Sequence, residues 1–177
     1  MVFRVIQDKF KAKSGLKYLE DELNKPKPQA TRKGVSSIAC IVDMDNYGNA
    51  EVFNELRKDF GLQPNAIQII GYKRGVDKHT LFSIPFFTDK DLGWNGTIEN
   101  GDASEFLARD YDVLINYYQE DRLLLKLLSA KTKARIRVGF PEVDHKMNDL
   151  IFDTPLNDFA TFKMELKKYL KVLNEIE

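Results

Sequence analysis

Residues 111–140, YDVLINYYQEDRLLLKLLSAKTKARIRVGF, limit what this chain can fold into more than any other stretch. A β-branched, apolar run ends in Asn116-Tyr117-Tyr118, a leucine-rich segment of helical length follows, and a second run closes at Val138-Gly139-Phe140. Two buried strands joined by a helix-length crossover form a βαβ unit, because parallel strands cannot be joined by a tight turn. Strands of this kind read as continuous Val/Ile/Leu runs, since helices cover both faces of the sheet.

The same alternation recurs along the chain. VSSIACIVD is strand-like and ends at Asp43, and NAEVFNELRKDFG then places Val52, Phe53, Leu56 and Phe60 on one helical face before Gly61. AIQIIGYKR is a second strand. TLFSIPFFT is a third, with Pro85 demoting it to an edge. The connection GVDKH is too short for a helix, so a hairpin or an irregular strand is expected between these two. Asp102 is expected to cap a short helix reaching Ala108, with Glu105 in the capping box. LIFDTPL reads as a last strand, and Thr154-Pro155 as the start of a final amphipathic helix. Strands are thus expected near 37–42, 66–72, 112–117 and 135–139, with helices near 49–60 and 120–129. The fold class is α/β: a three-layer, Rossmann-like domain with a largely parallel sheet, plus amphipathic N- and C-terminal helices.

Two regions follow from this division. Residues 1–34 form a basic amphipathic arm of one or two short helices and a linker, NKPKPQATRKG, and 35–177 form a single α/β domain. The arm holds nine Lys or Arg against four Asp or Glu, a net of +5, and the remainder holds eighteen against twenty-three, a net of −5. Such a distribution fits an arm that seeks an acidic surface, nucleic acid or a protein partner, or one that lies on its own acidic body. At 31% charged residues and without an apolar run of about 20 residues, no membrane role is expected. The absence of a secretory signal and a lone Cys40 inside an apolar run point to a cytoplasmic location.

Ligands of open α/β sheets bind outside the carboxyl ends of the strands, so chemistry is sought there. The first strand ends in Asp43-Met44-Asp45-Asn46. These residues can orient a hydroxylated ligand or hold Mg²⁺, or Asp45 and Asn46 can simply cap a helix. Lys73 and Arg74, with Lys78 and His79, form either an anion site or a solvated turn. Asn116-Tyr117-Tyr118 closes the fourth strand, where an amide and two phenols can bind a base, a sugar or a backbone, or pack under the loop carrying Trp94. Trp94, in a glycine-rich loop, either plugs the top of the sheet or anchors a partner. The ligand-binding edge is therefore expected at Asp43, Asp45, Asn46, Trp94, Asn116 and Tyr117, with anion binding at Lys73 and Arg74. His79 and His145 have no second ligand at a metal-binding interval. No dinucleotide fingerprint, P-loop or nucleophile elbow is present, so neither a cofactor nor a catalytic residue is assigned.

Two resemblances rest on particular segments. Asp91-Leu92-Gly93-Trp94, with Asp112-Val113-Leu114-Ile115-Asn116 and Arg137-Val138-Gly139-Phe140, resembles a small uncharacterised family of Bacteroidota, which has no activity to transfer. Tyr111 to Ile115, through Ser129-Ala130-Lys131, to Phe140 is similar to a strand–helix–strand of the acceptor-side domain of GT-B heptosyltransferases. That likeness spans roughly 30 residues, the size of one βαβ unit. It implies the fold, but this chain lacks the glycine-rich loop those transferases carry after their first strand. The leading expectation is a non-catalytic interaction or ligand-binding module, acting alone, as a homo-oligomer or with a protein partner. The alternatives are a small nucleotide-sugar or nucleotide-binding enzyme and a nucleic-acid or ribosome-associated protein that uses residues 1–34.

Overall fold

A computed structural model describes residues 1–29, 31–76 and 80–177. Its centre is one six-stranded sheet, all parallel, in the order β3-β2-β1-β4-β5-β6. The strands are β1 (Ile38–Asp43), β2 (Ile67–Lys73), β3 (Phe86–Thr88), β4 (Asp110–Tyr117), β5 (Lys133–Gly139) and β6 (Leu150–Ile151). This is the Rossmann order, which reverses direction between β1 and β4, where Ile38 pairs with Val113 and Val42 with Tyr117. The helices are α1 (Val2–Leu23), α2 (Leu56–Asp59), α3 (Gly101–Leu107), α4 (Leu123–Lys131) and α5 (Phe159–Val172).

Because side chains alternate across a strand, β1 and β4 feed two cores. Ala39, Ile41, Leu114 and Tyr118 face α3 and α4, whereas Ile38, Cys40, Val113, Ile115 and Tyr117 face α5 and the turn of 3₁₀-helix before α2. On the second face Tyr117 stands edge-on to Phe53, Phe140 and Phe162, with ring centres about 5 Å apart. Contacts of this geometry are worth about 1 kcal/mol each beyond the buried area.

The expected α/β sandwich is present, and its edges differ from the sequence reading. β3 runs parallel to β2, so the connection between them is not a hairpin. The strand is only three residues long, and the segment before Pro85 carries the return. The helix expected at 49–60 is a 3₁₀ turn over Ala50–Glu55 followed by one α-turn. α3 is capped by Asn100, which accepts from the Ala103 N–H, while Asp102 lies inside the first turn. α5 starts later than Thr154-Pro155, with Asp158 as its cap accepting from Thr161 N–H.

The helical part of the arm is the single helix α1. Gly15 does not end it. A methyl there would just touch Leu127 and Leu123, leaving no room for a larger side chain, so α1 lies directly on α4. Leu19 is buried in the same contact. α4 is consequently covered by the sheet on one side and α1 on the other, which is why LLLKLLSAK has almost no polar face. Before Lys11 the helix overhangs, with Val2, Phe3, Val5, Ile6 and Phe10 exposed. Ile6 and Gly15 are nine residues apart, about two and a half turns, so this exposed stripe lies opposite the packed one. Among the described residues no helix is long and apolar enough to cross a membrane.

Opposite the strands' carboxyl ends, one ion network ties linker, sheet and C-terminal segment together. Asp112, almost fully buried, accepts from the Ser36 N–H and from Arg32 at 2.8 Å, and from Arg135 at 2.9 Å. Arg135 continues to Glu175, which accepts from the Gly34 N–H. Burial alone would raise the Asp112 carboxyl. The Ser36 and arginine donors outweigh it and hold the pKa near about 2.

Candidate functional site

The carboxyl ends of β1 and β4, where the sheet reverses direction, carry a cluster of charges. β1 delivers Asp43 at its last position, fully buried. The chain then turns tightly, with the Asn46 and Tyr47 N–H groups donating to the Asp43 carbonyl. That turn folds the following residues back over the carboxylate: Asp43 accepts from the Asp45 N–H at 3.0 Å and from the Asn46 amide at 2.8 Å. Neither Asp45 nor Asn46 caps a helix, since the next one begins after Asn49.

From the other side of the switch point, the segment after β4 brings Glu120 and Arg122. Asn46 donates to Glu120 at 2.9 Å, and Arg122 pairs with Glu120 and approaches Asp43 at 3.5 Å. The Arg122 guanidinium also lies over the Tyr72 ring, 5.5 Å from its centre. Burial acts to lower the Arg122 pKa, but the carboxylates of Asp43 and Glu120 and the Tyr72 hydroxyl hold it above the ordinary value. Even so, Nε and Nη2 of Arg122 are buried with no well-directed hydrogen bond. The ion pair with Asp43 is a charge contact at the limit of bonding distance.

β2 supplies the third side. Asp45 accepts from the Lys73 ammonium at 3.2 Å and the Arg74 N–H at 3.0 Å. Burial pushes the Asp45 carboxyl up, and those two donors more than reverse it, leaving the pKa lowered. Tyr72 donates to Asp89 at 2.6 Å, and burial with that carboxylate drives its phenol well above the ordinary value. The result is a rim of alternating charges, in which Asp45, Asn46, Arg74 and Glu120 reach solvent and Asp43 and Arg122 form the floor.

Three residues expected at this edge lie elsewhere. Asn116 is buried under it, donating to Asn148 at 2.8 Å and accepting from Ser129 at 2.6 Å. The one Ser129 proton is thereby used, so Tyr118, 2.7 Å away, donates to the serine. Tyr117 turns to the other face and donates to the Leu156 carbonyl. Trp94 does not plug the top of the sheet. It is half exposed in a short turn packed on α1, where the Asn95 N–H donates to Ser14. Lys73 and Arg74 sit on the rim, but paired with Asp45 and Glu120 rather than open to an anion. Lys78 and His79 lie outside the described residues. Sequence reasoning missed Arg122 and Glu120. Both lie just beyond Asn116-Tyr117-Tyr118, in a segment that reads as ordinary helix surface.

With its floor satisfied mainly by opposite charges, the cluster offers polar and ionic contacts and no unpaired nucleophile. Asp43 already bonds Asn46 and faces a guanidinium, an arrangement that leaves little affinity for a second cation. Among the described residues, no three His, Cys, Asp or Glu side chains are grouped to hold a metal ion.

Fold and cluster together define a doubly wound α/β protein of Rossmann strand order with a charged switch point. The chain belongs to a family of unknown function, DUF6913, which matches residues 11–173. The match takes in α1 from Lys11 onward, so the part of the helix that packs on α4 belongs to the family's unit. No curated protein matches it.

Proposed function

We propose that this protein is a non-catalytic ligand-binding module, with a polar, hydroxylated small molecule received at the β1/β4 switch point. The observation that carries this reading is the position of the Asp43–Asn46–Glu120–Arg122 cluster where such sheets bind their ligands. Arg122, largely buried on its floor and held by the charges of Asp43 and Glu120, adds a fixed positive centre beneath the exposed polar groups of Asp45, Asn46 and Glu120. In this reading the cytoplasm is the compartment, and the likeness to an acceptor-side transferase domain reflects the shared βαβ unit.

Asp45 and Glu120 are the variants to use, because both are partly exposed, whereas changing Asp43 or Asn116 would damage the core. A thermal-shift panel of free sugars, nucleosides and polyols is expected to yield compounds that stabilise the natural protein but not Asp45→Ala/Glu120→Ala. The double variant should itself melt somewhat lower, since Arg122 keeps only Asp43, so ligand shifts are read from each protein's own midpoint. A panel without hits, or hits that the double variant binds equally well, would remove the switch point as the site.

A further inference from the structure

At the opposite end of the sheet a cleft of about 700 Å³ opens between the linker, the end of α1 and the amino ends of β4 and β5. Its volume falls within the range of small-ligand pockets, about 300–1,000 Å³. Eight lysines and arginines line it against three carboxylates. Most of these charges are matched: Lys25 with Glu22, Lys27 with Asp149, Lys133 with Asp110, and Arg32 and Arg135 with Asp112 and Glu175.

Lys131, Arg137 and Lys146 form no ion pair within 4 Å among the described residues, and Glu22 and Asp149, which act on Lys131 and Arg137 from further away, are themselves paired with Lys25 and Lys27. Lys131 sits at the end of α4 with its ammonium 3.8 Å above the centre of the Tyr18 ring. Arg137, reaching up from β5, donates to the Ser129 and Thr132 carbonyls that end α4. Those carbonyls satisfy its N–H groups and offset about half a charge at most. Lys146 bonds only the neutral Asn24 amide, at 3.2 Å. Burial lowers the pKa of both Lys131 and Arg137, as expected for cations short of compensating charge. Around them the walls are apolar, with the Tyr18 ring, Leu23, Pro26, Ala130 and Met147.

We infer that this cleft is a second binding site, and that it takes a small organic polyanion of the phosphate-ester class with a flat apolar part. Three unmatched cations exceed what one carboxylate offsets, and a diphosphate ester supplies the balance. The aromatic and proline walls receive the organic portion. A cleft of this size admits a small molecule, and Lys25, Lys27 and Arg32 of the arm form part of its basic lining. The site is independent of the switch-point cluster, which lies at the other ends of the strands.

The test uses the full-length protein at low salt, with ADP, pyrophosphate and citrate as probes in calorimetry. Saturable binding of ADP is expected, with pyrophosphate weaker for want of the flat group and citrate weaker again. Rising salt should weaken all three. Lys131→Gln/Lys146→Gln, which spares the Arg137 cap on α4, should lower ADP affinity about tenfold or more, since two charge-assisted contacts are lost. In the natural protein, magnetisation transfer between ADP and the Tyr18 ring protons reports position without any substitution. No ADP binding, binding unaffected by the double variant, or no transfer to Tyr18 would each overturn the proposal. So would an RNA oligomer that displaces ADP while binding more tightly.

Discussion

Asp112 shows how a single side chain can join three parts of a chain. The carboxylate is buried, and its bonds go to the linker at Arg32 and Ser36 and to β5 at Arg135. Its pKa is depressed to about 2 from an ordinary 3.8, so it contributes stability that is complete above pH 4 to 5. That contribution is lost as pH falls toward 2, and linkage puts it at about 2–3 kcal/mol. Asp112→Asn is expected to destabilise at pH 7 by a comparable amount, because it leaves Arg135 with an imperfect partner. The variant should also lose stability less steeply between pH 5 and 2, as denaturant unfolding at a series of pH values would measure. Equal slopes in the two proteins would show that the acid limb has another origin. In the sequence Asp112 looked like the polar start of a strand, since its partners lie far from it on both sides, at Arg32 and Ser36 and at Arg135, and its value rests on them. Asp43 was legible as a strand-end carboxylate. Asn46 was legible beside it, but Glu120 and Arg122 were not, because they reach Asp43 only when β1 and β4 become neighbours.

Among the elements, α4 and α1 explain each other. LLLKLLSAK has no side free for water, and α1 is what covers its outer surface. The leucine excess was in the sequence, but the element that covers it was not, since the arm read only as one or two short amphipathic helices. Gly15 is a point of close approach. An added methyl would stand 3.4 Å from Leu127, ordinary contact, whereas anything larger must displace α1. Gly15→Ala is therefore expected to be neutral or stabilising by up to about 1 kcal/mol, the helix-propensity gain. Gly15→Leu should destabilise and expose α4, detectable as faster hydrogen exchange at Leu123–Lys131. If Gly15→Leu leaves that exchange unchanged, α1 does not pack as described. The short elements were the least legible. β3 and β6 hold two or three residues each, and with so few side chains their placement depends on neighbours more than on their own pattern.

For the molecule as a whole, the alternation of apolar runs and amphipathic segments was enough to specify a parallel, doubly covered sheet. The strand order was not legible, because parallel crossovers of similar length permit several. The first turns of α1 add little to this body. Val2, Phe3, Val5, Ile6 and Phe10 are all exposed, so removing residues 2–10 should leave the unfolding free energy unchanged within about 0.5 kcal/mol. A larger loss, measured by urea unfolding of the shortened chain, would mean that the overhang is covered in solution.

The central position of β1 also bears on how the protein reaches its native state. Ile38 pairs on one side with Ile67 and on the other with Val113, and no two neighbouring strands are joined by a tight turn. Every rung of the ladder must therefore wait for a long loop to close, and the entropy of closure is spent before any sheet contact returns it. A topology of this kind has high contact order and sits toward the slow end of single-domain folding. Until Val113 arrives, one edge of the chain's most apolar strand stands open, ready to pair with the same strand of another molecule. The protein's exposure to aggregation is thus set during the search for β4, and is greatest when the chain is refolded at high concentration.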